Sequence, residues 1–180
     1  MKIFLYILGG LVAIVAALGI FAPRDFLLER NIVINRAKDQ VFNELKFLKK
    51  HEQWNAWSQK DPKMKKEFKG TDGTVGFISS WESENEEVGT AEQEIKSIVE
   101  GEKLDTQIRF KKPFEGSFSS YLTTTSVGEN QTKVIIGMSD RMSFPINVIS
   151  FIVNVCFDQQ QKIIQNMDDS LKNLKSLLEK

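Results

Sequence analysis

The chain has 180 residues, room for one domain of ordinary size plus an accessory segment. Basic and acidic residues balance at 24 each, so no basic stripe calls for nucleic acid, and a single cysteine excludes an intrachain disulfide. Hydrophobic residues make up 41%, enough for a packed core, and Phe 13 against Tyr 2 and Trp 3 brings aromatic bulk with few polar handles.

Residues 3–22, IFLYILGGLVAIVAALGIFA, carry no charge. A bilayer-crossing helix needs roughly 20 such residues. A cleaved signal peptide is the other reading, although its apolar region needs only about 7–15 residues. The expectation is an N-terminal transmembrane anchor or signal segment over 1–24 and a ligand-binding domain over 25–180. The membrane is then a partner through a single-pass helix. Because the start resembles an export signal, the domain is expected outside the cytoplasm.

Phe26 to Asn35 alternates like a strand. A short amphipathic helix follows, with Val41, Phe42, Leu45 and Leu48 at helical spacing. Trp54 and Trp57 lie three apart before the loop signal Asp61-Pro62. From Met64 the chain reads as strands between turns. These are Met64–Lys69, Val75–Ser83, Val88–Glu100, Lys103–Lys111, Phe114–Val127 and Thr132–Met142, with Gly70-Thr71-Asp72-Gly73 as the strongest turn. Turns about every ten residues argue an antiparallel meander.

Pro145 to Lys180 reads as one long helix, with Ile163, Ile164, Met167, Leu171, Leu174, Leu177 and Leu178 on one stripe. Its first half, Ile146 to Phe157, is apolar on nearly every side and needs cover; the sheet is expected to supply it. Cys156 falls there and reads as a small buried hydrophobe. Segregated strands and helices give an α+β fold. About six to seven strands form a curved antiparallel sheet around the C-terminal helix. Four inward positions are polar or small: Ser79, Gln93, Thr106 and Ser120. A fully packed core prefers Leu, Ile and Val there, so the pattern hints at a cavity.

Several stretches together resemble a known family: IVINRAKDQVF, WNAWSQKDPKM, GTDGTVGFISSWES, VGTAEQEI, FKKPFEG and SFPINVISFIVN. The chain resembles the polyketide cyclase/dehydrase-like branch of the START/Bet v 1-like (SRPBCC) superfamily over about residues 26–179. The resemblance implies a helix-grip fold with a deep apolar cavity between sheet and C-terminal helix. It does not imply one function, since members bind lipids, sterols, polyketides or plant metabolites and a minority are enzymes.

Candidate ligand contacts are Trp54, Trp57, Phe77, Ser79, Trp81, Gln93, Phe110, Phe118, Met138, Ile149 and Val153. Trp54 and Trp57 either cap the cavity mouth or staple the short helices to the sheet. Phe77, Ser79 and Trp81 share one strand face, with Val75 beside them. Gln93, between inward Ala91 and Ile95, can hydrogen-bond a ligand oxygen, a water or Ser79. Phe110, Phe118, Met138, Ile149 and Val153 supply apolar lining. His51, the sole histidine, lies between Lys50 and Glu52 and is expected in water. Asp140 falls on the inward alternation at a strand end, where that side can be solvent, so a catalytic acid there is the weaker reading. No metal-ligand spacing, phosphate loop or dinucleotide fingerprint occurs, so no metal, cofactor or catalytic residue is expected.

The sequence therefore reads as a membrane-anchored domain binding a small hydrophobic or amphipathic molecule, lipid-like or polyketide-like. The alternatives are a polyketide cyclase/dehydratase-type enzyme and a ligand-free interaction module. An enzyme needs an acid–base group inside the cavity, and the module needs a filled core.

Overall fold

Alternating apolar and polar residues between turns do form strands in the computed structural model, which describes residues 22–113 and 115–180 together with Tyr6, Gly9, Gly10 and Gly19. The strands are β1 (Asp25–Ile34), β2 (Lys65–Lys69), β3 (Ile78–Glu82), β4 (Thr90–Val99), β5 (Lys103–Lys112), β6 (Gly116–Gly128) and β7 (Gln131–Arg141). Helix α1 (Lys38–Lys46), a 3-10 segment (Leu48–Gln53) and helix α2 (Ala56–Lys60) join β1 to β2. Helices α3 (Ile146–Phe157) and α4 (Gln159–Leu178) end the chain.

Among the described residues, the seven strands make one sheet in the order β1-β7-β6-β5-β4-β3-β2. Every neighbouring pair is antiparallel. The meander runs from β2 to β7, and β1 returns to pair with β7. The inner face sends Leu28, Ile95, Leu104, Leu122, Val134 and Ile136 into the core. Helix α4 lies against that face with Met167, Leu171 and Leu174 almost wholly buried. Burying such a side chain contributes about 1.5–3 kcal/mol, so the stripe holds the helix in place. Arg30 of β1 clasps Asp168 through two bonds of 2.7 and 3.0 Å, and Lys175 Nζ donates to the Val33 carbonyl at 2.7 Å. These exposed contacts set orientation more than stability.

The long C-terminal helix is in fact two. Asp158 takes a left-handed conformation (φ 51°, ψ 36°) and breaks it. Asn154 and Gln160 close the corner: Gln160 N donates to Asn154 Oδ1 and Asn154 Nδ2 donates to Gln160 Oε1, both at 3.0 Å. Only α4 is gripped. Helix α3 turns away, and Ile146, Ile149, Phe151, Ile152 and Val153 are left exposed and not covered by the sheet. On its other side Asn147 and Val148 are buried, with Asn147 Nδ2 donating to the Ala22 carbonyl at 3.2 Å. The Cys156 side chain lies outside the described residues.

The strand expected from Val75 starts only at Ile78. Gly76 has φ +87°, and Phe77 N donates to the Thr74 carbonyl in a turn. Val75 is accordingly exposed, not inward.

The single-pass membrane localisation is corrected. Among the described residues no helix is long and apolar enough to cross a membrane. The run at 3–22 lies outside them apart from Tyr6, Gly9, Gly10, Gly19 and Ala22. The placement of the domain outside the cytoplasm, drawn from the likeness of the same run to an export signal, is withdrawn with it.

On the outer face of the sheet, Tyr121 of β6, Gly137 of β7 and Glu29 of β1 are register neighbours. The Tyr121 ring crosses over Gly137, and its hydroxyl donates to the Glu29 carboxylate. A Cβ at position 137 would overlap that ring. Gly137→Ala is therefore expected to destabilise the fold by about 1–3 kcal/mol. A urea midpoint shift measures it, and an unchanged midpoint would show that the ring moves aside freely.

Candidate functional site

Between the inner face of the sheet, the start of α4 and the segment 48–58 lies a cavity of about 320 Å³. It exists because the middle strands send short polar side chains inward. Ser79 of β3 pairs in register with Gln93 of β4, and Thr106 of β5 with Ser120 of β6. Gln93 Nε2 donates to Thr106 Oγ1 at 3.0 Å, and Thr106 Oγ1 donates to the Ser120 carbonyl at 3.3 Å. This row is thus tied together. Gln93 Oε1 is left as an acceptor facing no bonded partner among the described residues. Around the row stand Ile108, Phe110, Phe118, Leu122, Ile136 and Met138. The Phe110 and Phe118 rings stack 5.9 Å apart.

The opposite wall comes from the segment after α1. Asp72, in the Gly70–Gly73 turn, accepts from Leu48 N at 2.9 Å and Lys49 N at 3.1 Å, pinning the start of the 3-10 segment. Asn55 caps α2 by accepting from Trp57 N at 2.9 Å. Ser170 of α4 accepts from Ala56 N at 2.9 Å, and Asn173 Nδ2 donates to the Trp54 carbonyl at 3.2 Å. Trp54 and Trp57 are thereby fixed against α4, and both line the cavity. Stapling and lining are done by the same pair. Trp81 Nε1 donates to the Val88 carbonyl at 3.3 Å, whereas Trp54 Nε1 is buried without an acceptor among the described residues. An unpaired buried N–H costs about 1–3 kcal/mol, so a ligand oxygen within its reach would be favoured.

His51 departs from expectation. It is buried, lines the cavity, and lies 4.5 Å from the Trp54 ring. Its Nε2–H donates to the Leu45 carbonyl at 2.7 Å. Burial, partly offset by that carbonyl and by Asp72, pushes the imidazole down to about 4. The ring is neutral at ordinary pH.

The other ionisable groups in the wall are paired. Lys66 meets Glu52 at 3.0 Å, and Lys60 meets Glu87 at 2.6 Å. The hydrogen bond from Lys60 holds the Glu87 carboxyl below its ordinary range. A charged ligand would find no unpaired countercharge among them.

Of the expected contacts, the structure brings together Trp54, Trp57, Ser79, Trp81, Gln93, Phe110, Phe118 and Met138 around this cavity. Three lie elsewhere. Phe77, at the turn before β3, is buried in the core against Phe68, with ring centroids 6.1 Å apart. Ile149 and Val153 ride on α3, which turns away from the sheet. Asp140 is exposed and accepts from Arg141 N at 2.7 Å, outside the cavity wall. Sequence reading misses His51 and several apolar wall residues, Phe26, Ile108, Leu122, Ile136 and Ile163 among them. The apolar ones were legible as strand and helix residues facing inward. Nothing local in Lys50-His51-Glu52 announces burial.

No family model matches the sequence, and no curated protein matches it. Solved structures do. The chain is similar to truncated norcoclaurine synthase from Thalictrum flavum at TM-score 0.60 and 14% identity, over 87% of this chain and 95% of that one. It is similar to protein CV1439 from Chromobacterium violaceum at TM-score 0.57 and 15% identity, over 88% and 99%. DynU16, from the dynemicin biosynthetic locus, matches at TM-score 0.57 and 12% identity, over 85% of this chain and 47% of that one. The fold is the helix-grip fold. These likenesses support the Bet v 1-like/polyketide cyclase-type architecture implied by the motifs; at such identities they speak to fold and not to chemistry.

Acid is expected to act through His51. Unfolded, its imidazole takes up a proton below about pH 6.5; folded, it does so only near pH 4. Its contribution is fully present above the unfolded value and is lost as pH falls through that window. The loss is about 3 kcal/mol. Urea unfolding of the parent and of His51→Gln across that range checks this. The excess acid slope should vanish in the variant, and equal slopes would overturn the assignment.

Proposed function

We propose that this chain is a binding domain of the polyketide cyclase/dehydrase-like branch. It takes up a small, neutral, largely apolar molecule, lipid-like or polyketide-like, with a hydrogen-bonding oxygen. One observation carries the reading: the cavity of about 320 Å³ is walled mainly by apolar side chains, with its ionisable groups paired or held neutral. Ligand pockets are typically about 300–1,000 Å³ with a few placed polar groups. Burial of ligand carbon, at about 25 cal/mol per Å², supplies the affinity. Gln93 Oε1 and Trp54 Nε1 supply orientation, the first to a hydroxyl proton and the second to an oxygen lone pair.

The enzymatic alternative is favoured by one observation, the presence of His51 in the wall. The names of two structural neighbours, a synthase and a protein of a biosynthetic locus, keep it in view. A base that protonates near pH 4 is poorly matched to proton abstraction at neutral pH, so binding is the better supported reading. The interaction module calls for a filled core, which a cavity of this size disfavours.

The test is native mass spectrometry of the full chain purified from cells, followed by solvent extraction, with displacement of the neutral dye N-phenyl-1-naphthylamine as the quantitative assay. Ser79→Phe fills the cavity and is expected to weaken dye binding at least about tenfold while leaving the thermal midpoint near that of the parent. Gln93→Leu is expected to lower affinity for hydroxylated ligands about fivefold, the worth of roughly one hydrogen bond. Undiminished dye binding in Ser79→Phe would place the dye elsewhere and remove the support for this site.

A further inference from the structure

A second chamber of about 330 Å³ stands behind the first, between the start of β1, the end of β7 and the α3–α4 corner. Phe26 and Ile163 belong to the walls of both chambers. Both are only partly buried core-packed side chains, one on β1 and one on α4. The two spaces therefore meet at these two side chains, which can change rotamer.

The second chamber is built, not incidental. The left-handed turn at Asp158 swings α3 away from the sheet, and the reciprocal Asn154–Gln160 bonds, both residues lining the chamber, fix the angle. Asn147 also lines it. Its Nδ2 is committed to the Ala22 carbonyl, while its buried Oδ1 has no donor among the described residues. A buried acceptor without a donor is costly unless something supplies one. The first chamber shows the complementary lack, the buried Trp54 Nε1–H without an acceptor. So one chamber has an unpaired donor in its wall and the other an unpaired acceptor, both sealed until neighbouring side chains move, and the side chains of Phe26 and Ile163 stand between the two spaces.

Resting on the binding role proposed above, we propose that the two chambers form one elongated site for a neutral chain-like molecule bearing oxygen at both ends. One oxygen accepts from Trp54 Nε1 and the other donates its hydroxyl proton to Asn147 Oδ1. The aliphatic middle passes between Phe26 and Ile163. A cavity ligand of the size of one chamber would need only the first.

Displacement of N-phenyl-1-naphthylamine from the full chain by straight-chain 1-alkanols and α,ω-diols, from octyl to octadecyl, tests this. In the parent, alkanol affinity should keep rising with length past the point at which it levels off in Ser150→Trp, which fills the second chamber from α3. Short alkanols should bind Ser150→Trp and parent alike. Diols long enough to bridge should bind about five- to tenfold tighter than the matching alkanols, and Asn147→Leu should erase that gain. If a variant does not fold, the parent's diol-to-alkanol ratio across lengths decides alone. A parent profile that levels off where Ser150→Trp does, or a diol never better than its alkanol, overturns the two-chamber site and leaves the single cavity standing. If neither dye nor any alkanol binds the parent, the binding reading itself fails, and this one with it.

Discussion

Helix α4 is buried by the sheet and by the segment 48–58, and the middle strands send short side chains toward it. Ser79, Gln93, Thr106 and Ser120 occupy inward positions on β3, β4, β5 and β6, where a filled core would place branched aliphatics. Gln93 Nε2 and the Thr106 hydroxyl are bonded within this row, through Thr106 and the Ser120 carbonyl, while Gln93 Oε1 stays unbonded among the described residues. Those bonds offset part of the desolvation penalty of polar groups facing inward. The helix is held at the far end by Leu171 and Leu174 and along its flank by β1. It rests on the sheet at its edges and leaves the centre open. The cavity is thus a consequence of which inward residues are small, and the rest of the site depends on it.

That the fold was legible follows from the same arithmetic. Alternation with period two between Gly- and Asn-rich turns needs no tertiary information, and all six strands of the meander fall within a few residues of where it places them. The α4 stripe is equally local. What failed were features decided by one residue's backbone or by distant packing. Asp158 adopts φ 51° in a stretch whose helical periodicity runs on in the sequence, with no glycine or proline to mark the break. Asp tolerates that region better than most residues, and the cost is met by the Asn154–Gln160 pair, which only the folded corner brings together. The break moved Ile149 and Val153 out of the candidate site. Gly76 at φ +87° did the same for Phe77 by starting β3 late.

His51 is the opposite kind of failure. Its neighbours Lys50 and Glu52 belong in water, and a helical or extended reading leaves the ring between them. The 3-10 segment turns it inward, where the Leu45 carbonyl accepts from Nε2 and Trp54 packs on its face. The segment takes that form because Asp72, more than twenty residues on, receives the first two amides. No window short enough to be read locally contains both partners.

The electrostatics of the wall narrow the ligand further than its volume does. A carboxylate or ammonium entering this cavity would leave water for a site where Glu52 already holds Lys66 and Glu87 already holds Lys60. It would have to break a pair or go uncompensated, and an unpaired buried charge costs several kcal/mol. Nor can His51 adjust to meet an anion. Its single wall-facing alternative to neutrality is protonation, which burial opposes down to about pH 4. A neutral molecule meets none of these penalties and gains from each carbon it buries. The wall therefore selects against charge by having spent its own, and leaves the unpaired dipoles, Trp54 Nε1 and Gln93 Oε1 among them, to distinguish one neutral molecule from another.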